Sequence, residues 1–125
     1  MIAVDTSSWI AFLSGADGPD VPLVERLLAE RQVCMPPVVL TELLSDPRLP
    51  ERVATFLGEL PRLSLKEGYW ERAGGLRAKV IAGKRKAPLA DALIAQSCLD
   101  HRVRLVTRDA DFRHFVKLGR LEVLP

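Results

Sequence analysis

Four acidic residues sit where a carboxylate can do chemistry: Asp5, Glu42, Asp91 and Asp109. Asp5 closes a short apolar run that starts at Ile2, and Asp109 follows a second such run, Val103 to Thr107. Glu42 lies one to two turns into a segment opened by Pro36-Pro37, and Asp91 in the first turn of one opened by Pro88. Carboxylates gathered in one pocket repel and raise one another's pKa unless a cation compensates. Hard oxygen donors suit Mg²⁺ or Mn²⁺, and magnesium keeps several waters while taking one or two carboxylates directly. Such a centre can orient and deprotonate a water while neutralising a phosphodiester oxygen, which is in-line phosphoryl transfer without a side-chain nucleophile. Each acid also has a plain structural reading. Asp5 and Asp109 can cap the helices after them, Asp91 suits the positive end of a helix, and Glu42 can be a solvated helix residue among Leu40, Leu43 and Leu44. Only their joint placement points to a site.

That placement depends on the elements that carry them. Apolar runs of strand length cover Ile2–Asp5, Val33–Met35, Arg62–Leu65, Val103–Thr107 and Leu121–Leu124. Between them, helical spacing predicts a helix from Thr6 or Ser7 through Trp9, Ile10 and Leu13, and one capped by Asp20 with Pro22 in its first turn. It predicts further helices after Pro36-Pro37, from Pro50 to Leu60, from Glu67 to Ala82, from Pro88 to Asp100 and from Asp111 to Val116. Strands alternating with helices imply an α/β fold: a central, mainly parallel sheet of about five strands between two helical layers. Sites in such sheets form beyond the C-terminal ends of the strands. All four acids reach one pocket if the strands ending at Asp5 and near Asp109 lie side by side.

The chain's 125 residues fit a single domain spanning 1–125, and neither a repeat nor a linker interrupts it. A composition of 48% hydrophobic and 27% charged residues is that of a globular protein and excludes disorder. No apolar run spans a bilayer, and the start, Met1-Ile2-Ala3-Val4-Asp5, lacks a basic n-region and an apolar h-region, so a cytoplasmic protein is expected. Cys34 and Cys98 lack metal-ligand spacing and read as buried reduced thiols; His101 and His114 lack the spacing of a zinc site. The net charge of +2 is compatible with a nucleic-acid partner and does not by itself indicate one.

Four segments carry a family resemblance: Val4-Asp5-Thr6-Ser7, Pro37-Val38-Val39-Leu40-Thr41-Glu42, Asp91-Ala92-Leu93-Ile94-Ala95 and Val106-Thr107-Arg108-Asp109-Ala110-Asp111-Phe112. In order and approximate spacing they resemble PIN domains, most closely the VapC-type toxins of bacterial toxin–antitoxin pairs. The resemblance implies a three-layer α/β/α domain and an endoribonuclease dependent on Mg²⁺ or Mn²⁺. It also implies a homodimer and inhibition by a VapB-like antitoxin. Asp5, Glu42, Asp91 and Asp109 match the family's acidic positions one by one. Thr107 matches a hydroxyl residue that supports the acids, Thr6 stands beside the first acid, and Asp111 is a further possible participant.

Other features have competing readings. Lys84-Arg85-Lys86, with Arg108 and Arg113 near Asp109, can attract RNA phosphates or simply be solvated. Trp9, Tyr69 and Trp70 can stack on bases, although core or subunit contacts suit them better. Gly74-Gly75 suits close helix packing rather than a dinucleotide loop. A receiver domain is a rival fold, but it needs an aspartate at the end of the third strand, which reads Leu63-Ser64-Leu65-Lys66. A non-catalytic RNA- or protein-binding module on the same fold, and a structure-specific DNA nuclease, are the functional rivals.

Overall fold

A computed structural model describes residues 1–124. Its described strands are β1 (Ile2–Val4), β2 (Val33–Cys34), β3 (Arg104–Val106) and β4 (Val123–Leu124). They form one parallel sheet in the order β2-β1-β3-β4. The described helices are α1 (Thr6–Ser14), α2 (Asp20–Ala29), α3 (Pro37–Leu44), α4 (Glu51–Glu59), α5 (Tyr69–Ala82), α6 (Leu89–His101) and α7 (Arg113–Gly119). Ala3, Val4, Leu105 and Val106 are wholly buried, as expected of parallel strands covered on both faces by helices. Trp9, Met35, Leu57, Ile94, Phe112 and Phe115 complete the core around them.

The chain steps from β1 to β2 on one side and returns to β3 on the other, so the direction of winding reverses between β1 and β3. Right-handed crossovers then send helices to opposite faces and open a crevice beyond the C-terminal ends of those two strands. The pairing Ile2↔Arg104, Ala3↔Leu105, Val4↔Val106 makes β1 and β3 neighbours. The strands leading to Asp5 and Asp109 are therefore adjacent, as the site required. Asp5 donates its backbone N–H to the Val106 carbonyl at 2.8 Å, which continues the register to the foot of Thr107.

Several elements differ from the sequence reading. The strand expected over Arg62–Leu65 is reduced to a single bridge between Met35 and Arg62, leaving four strands among the described residues rather than about five. The bridge bonds run from the Met35 N–H to the Pro61 carbonyl and from the Leu63 N–H to the Met35 carbonyl, but the next donors on either side would be Pro37 and Pro61, and proline cannot donate to a ladder; beyond Leu63, Ser64 and Leu65 turn to solvent. The last strand shrinks to Val123–Leu124, with Leu121 buried in the core. The helix expected from Asp111 becomes a 3₁₀ turn at Ala110–Phe112 followed by α7. Helix α5 starts at Tyr69 rather than Glu67, because Gly68 before it is left-handed (φ 80°). Asp20 lies inside the first turn of α2 and caps nothing. A side chain added at Gly74 or Gly75 would meet open space, so close packing within this chain does not account for them.

Candidate active site

Helix α1 begins one residue after Asp5, which occupies its N-cap position without a side-chain capping bond. The Asp5 carboxylate instead accepts through Oδ2 from the Ser7 hydroxyl at 2.7 Å and the Thr107 hydroxyl at 2.9 Å. It is only 4% exposed. Burial holds its pKa above the ordinary carboxylate value, and the Ser7 and Thr107 hydroxyls offset part of that rise. Thr107 also accepts from the backbone N–H of Asp109 at 3.0 Å, so one hydroxyl group ties the first and last acids together.

Asp109 caps the 3₁₀ turn: its Oδ1 accepts from the Asp111 N–H at 2.9 Å. Glu42 comes from α3, whose extended N-cap Pro36 and first residue Pro37 fix the entry of the helix. Val39, Leu40 and Leu43 are buried while Glu42 stays exposed, and its Oε1 accepts from the Thr6 hydroxyl at 2.6 Å. Asp91 rides the first turn of α6, behind an extended Ala87-Pro88 segment that Arg77 holds by donating Nε to the Ala87 carbonyl at 2.8 Å.

Asp91 differs from the other three. Its Oδ2 is buried and has no hydrogen-bond partner among the described residues. Burial raises its pKa most, and the nearby charges of Asp5, Asp109, Glu42 and Asp111 raise it further, to about 7. The structure thus brings all four expected acids, and Asp111, into one electrostatic neighbourhood. Among the described residues, no three Asp, Glu, His or Cys side chains converge closely enough to enclose an ion as they stand. A ring of all-oxygen donors, one of them a buried carboxylate oxygen without a partner, still fits a hard divalent cation bridged partly by water.

The family model described as "PIN domain" matches residues 2–118. The chain belongs to the PIN-domain family. Among curated relatives, the VapC ribonuclease Mb1587 of Mycobacterium bovis and ribonuclease VapC11 of Mycobacterium tuberculosis are each 30% identical to it, covering 98% of this chain and 96% of theirs. Among solved structures, this PIN domain resembles a chain of VapBC2 from Rickettsia felis bound to a promoter DNA fragment, with TM-score 0.76, 20% identity, and 99% and 98% of the two chains covered. A chain of FitAcB from Neisseria gonorrhoeae aligns with TM-score 0.70 at 18% identity, covering 100% of this chain and 97% of that one.

The remaining candidates divide. In this PIN domain the Thr6 hydroxyl donates to Glu42, rather than capping α1, and the Thr107 hydroxyl donates to Asp5. Asp111 faces the cluster, and its Oδ2 lies 3.6 Å from Lys86 Nζ. Lys84, Arg85, Lys86 and Arg113 are exposed. Arg108, expected as an RNA contact, is engaged elsewhere. Its Nε and Nη2 donate to the two oxygens of Asp20 at 2.9 and 2.8 Å, and Nη2 donates also to the Asp17 carbonyl at 2.9 Å. Asp20 is 1% exposed and accepts from the Ser8 hydroxyl at 2.7 Å as well. The sequence reading missed Ser7, Ser8 and Asp20. The alternation of hydroxyls after Asp5 was the available signal, since Ser7 serves Asp5 while Ser8 serves Asp20 behind it. Trp9 and Tyr69 are core residues, and Trp70 is 60% exposed. Cys34 and Cys98 are free, buried thiols whose pKa burial pushes up, consistent with inert hydrophobes.

Proposed function

We propose that this PIN domain is a Mg²⁺- or Mn²⁺-dependent endoribonuclease, the toxin half of a VapBC-type pair. The observation that carries this reading is the buried, unpartnered Asp91 oxygen amid Asp5, Glu42 and Asp109 at the crevice between β1 and β3. The names of the curated relatives support RNA as the substrate.

A bound divalent cation would supply Lewis-acid stabilisation of the phosphodiester and lower the pKa of an attacking water. The chain's own residues do the positioning. Thr6 holds one oxygen of Glu42, Ser7 and Thr107 hold one oxygen of Asp5, and the Asp111 N–H holds one oxygen of Asp109. The other oxygens of Glu42 and Asp109 have no side-chain hydrogen bond among the described residues and would be free to bind a cation or its waters, while at Asp5 the backbone N–H groups of Thr6 and Ser7 also favour the charged carboxylate. Asp91, with its pKa raised to about 7 by burial and the neighbouring acids, would be the carboxylate whose charge a bound cation most compensates. Incubating the purified protein with RNA in Mg²⁺, in Mn²⁺ and in EDTA tests the reading. Cleavage is expected with either ion and is lost in EDTA. Full activity in EDTA overturns the metal role, and cleavage of DNA alone overturns RNA as the substrate.

The partners follow from the same reading. An apolar groove of about 300 Å³ runs between α1, α3 and the start of α4, lined by Ile10, Leu13, Leu43 and Leu49 with Glu42 at its edge. Ile10 is 56% exposed there, which suits the apolar C-terminal part of a VapB-like antitoxin reaching towards the acids. Trp70, Gly74 and Ile81 share an exposed face of α5 that suits a second copy of the chain, which would give Gly74 the close approach it lacks in the single chain. No described helix is long and apolar enough to cross a membrane.

A further inference from the structure

The depression between the α5–α6 loop and α7 collects positive charge. Gly83, Arg85, Arg113, His114, Lys117 and Leu118 line a cavity of about 370 Å³, with no acid among them. In a chain whose net charge is only +2, this is a local excess. The ion pairs found among the described residues use Arg72, Lys86 and Arg108, none of which lines the depression. Its cations therefore face solvent without a carboxylate to neutralise them.

Local backbone builds the concavity. After α5 the chain turns at Lys84, a left-handed residue (φ 59°) in a conformation that costs a non-glycine residue about 1 kcal/mol. The Lys84 N–H donates to the Ile81 carbonyl at 2.8 Å and the Arg85 N–H to the Val80 carbonyl at 3.1 Å, folding Arg85 back against the end of α5. On the opposite wall Arg113 and Lys117 stand one helical turn apart on α7. The depression adjoins the side of the acidic centre that carries Asp109 and Asp111. Arg113 also lines the neighbouring hollow that contains Thr107 and Asp109, and Lys86, next to Arg85, meets Asp111.

We propose that this depression is a phosphate subsite for single-stranded RNA, holding backbone one or more nucleotides away from the bond that is cut; the assignment rests on the ribonuclease reading above. Guanidinium groups match phosphate oxygens in a planar fork, and lysine adds a point charge. Leu118 offers an apolar surface for a ribose or a base. Because the cations stand beside the acids rather than among them, they hold a flanking phosphate and leave the scissile one to the carboxylates.

The test removes Arg85, Arg113 and Lys117 together by substitution to Gln, against a control that removes Arg26, Arg52 and Arg104 and so changes net charge equally. Binding of a labelled single-stranded RNA oligomer is measured across salt concentration on the Asp91→Asn background. Cleavage of long and minimal RNA substrates is measured with Asp91 intact, and thermal melts verify folding. The groove variant should lower the slope of log affinity against log salt by about 2, at about 0.7 per phosphate contact. Its preference in kcat/KM for long over short RNA should fall about tenfold, with the control closer to wild type. Equal weakening in both triples, or an unchanged long-substrate preference, overturns the subsite. If the parent chain binds RNA with the groove-dependent slope but never cleaves it, the subsite stands and the ribonuclease reading fails. If the parent cleaves RNA and the groove variant is indistinguishable from it, the reverse holds.

Discussion

Asp20 and Asp91 are both carboxylates in the first turn of a helix, α2 and α6, yet their surroundings oppose each other. Asp20 receives a two-point guanidinium contact from Arg108 and the Ser8 hydroxyl. The Arg108 hydrogen bonds outweigh the cost of burial and bring its pKa down to about 2. Asp91 receives no donor, and burial with four neighbouring acids takes its pKa up to about 7. The fold can supply a guanidinium to a buried acid, and one loop residue away from Asp109 it does so. Where it withholds one, the carboxylate is left without a partner in the chain, which is what the functional reading proposed for Asp91 requires and what Asp20 does not offer.

The largest effect should come from the uncompensated side. Asp91→Asn keeps shape and removes the ligand charge, so RNA cleavage should fall about 10³-fold, equivalent to ~4 kcal/mol of transition-state stabilisation. Asp5→Asn and Asp109→Asn should behave alike. Single-turnover cleavage assays measure this; near-wild-type rates for Asp91→Asn would place the chemistry elsewhere. Asp20→Asn should do the opposite, costing stability first. It leaves the Arg108 guanidinium, 37% exposed, without its anion. Breaking a buried pair costs several kcal/mol, reduced here to about 2 kcal/mol by that exposure, or a drop in Tm of roughly 8 °C. An unchanged melting temperature would mean that the clamp is ornamental.

Acidity separates the two residues further. The folded-state pKa of Asp20 lies below its ordinary value, so its contribution is present above pH 4 and is lost as pH falls towards 2. The folded-state pKa of Asp91 lies above its ordinary value, so its contribution is present below about pH 4 and is lost as pH rises through 7. In EDTA, melts should therefore show stability declining between pH 4 and 7, and Asp91→Asn should flatten that decline. Added Mg²⁺ should stabilise wild type more than the variant at pH 7, because a ligand bound only by the folded state adds stability according to its affinity. Equal responses would detach Asp91 from the cation.

The quartet is legible in the sequence only jointly: two acids at the ends of apolar runs, Asp5 and Asp109, and two inside proline-opened helices, Glu42 and Asp91, each with a plain local reading of its own. The α/β alternation predicted parallel strands but left the adjacency of β1 and β3 as a condition, which the strand order β2-β1-β3-β4 meets. The Asp20–Arg108 clamp was not legible, since its partners are 88 residues apart and each has an innocent local role. Arg108 sits beside Asp109, one of the four candidate acids, and reads as a phosphate contact, while Asp20 stands before a helical run and reads as a cap. The lost strand at Arg62–Leu65 failed for a different reason. Its apolar pattern is genuine, but Pro37 and Pro61 remove the donors that would extend the pairing beyond one bridge, a cost felt only once the partner strand is known.

Asp111 lies between the two extremes and gives the smallest expected change. Its carboxylate belongs to the group that raises Asp91, yet it is 32% exposed and has Lys86 Nζ at 3.6 Å. Water and lysine therefore offset most of its charge, and a surface pair of this kind is worth at most about 1 kcal/mol. What Asp111 supplies to Asp109 is its backbone N–H, at 2.9 Å from Oδ1, which a side-chain substitution leaves in place. Asp111→Asn should thus keep the 3₁₀ turn and the orientation of Asp109, and reduce cleavage only about threefold to tenfold, ~1 kcal/mol. Lys86→Gln should reveal the hidden charge: freed of its lysine, Asp111 repels its neighbours more, and the Mg²⁺ needed for half-maximal cleavage should shift more in Lys86→Gln than in Lys86→Gln with Asp111→Asn. Metal titrations of wild type, both single variants and the double variant measure this coupling. If Asp111→Asn alone abolishes cleavage as fully as Asp91→Asn does, Asp111 is a fifth essential acid and its pairing with Lys86 does not shield it.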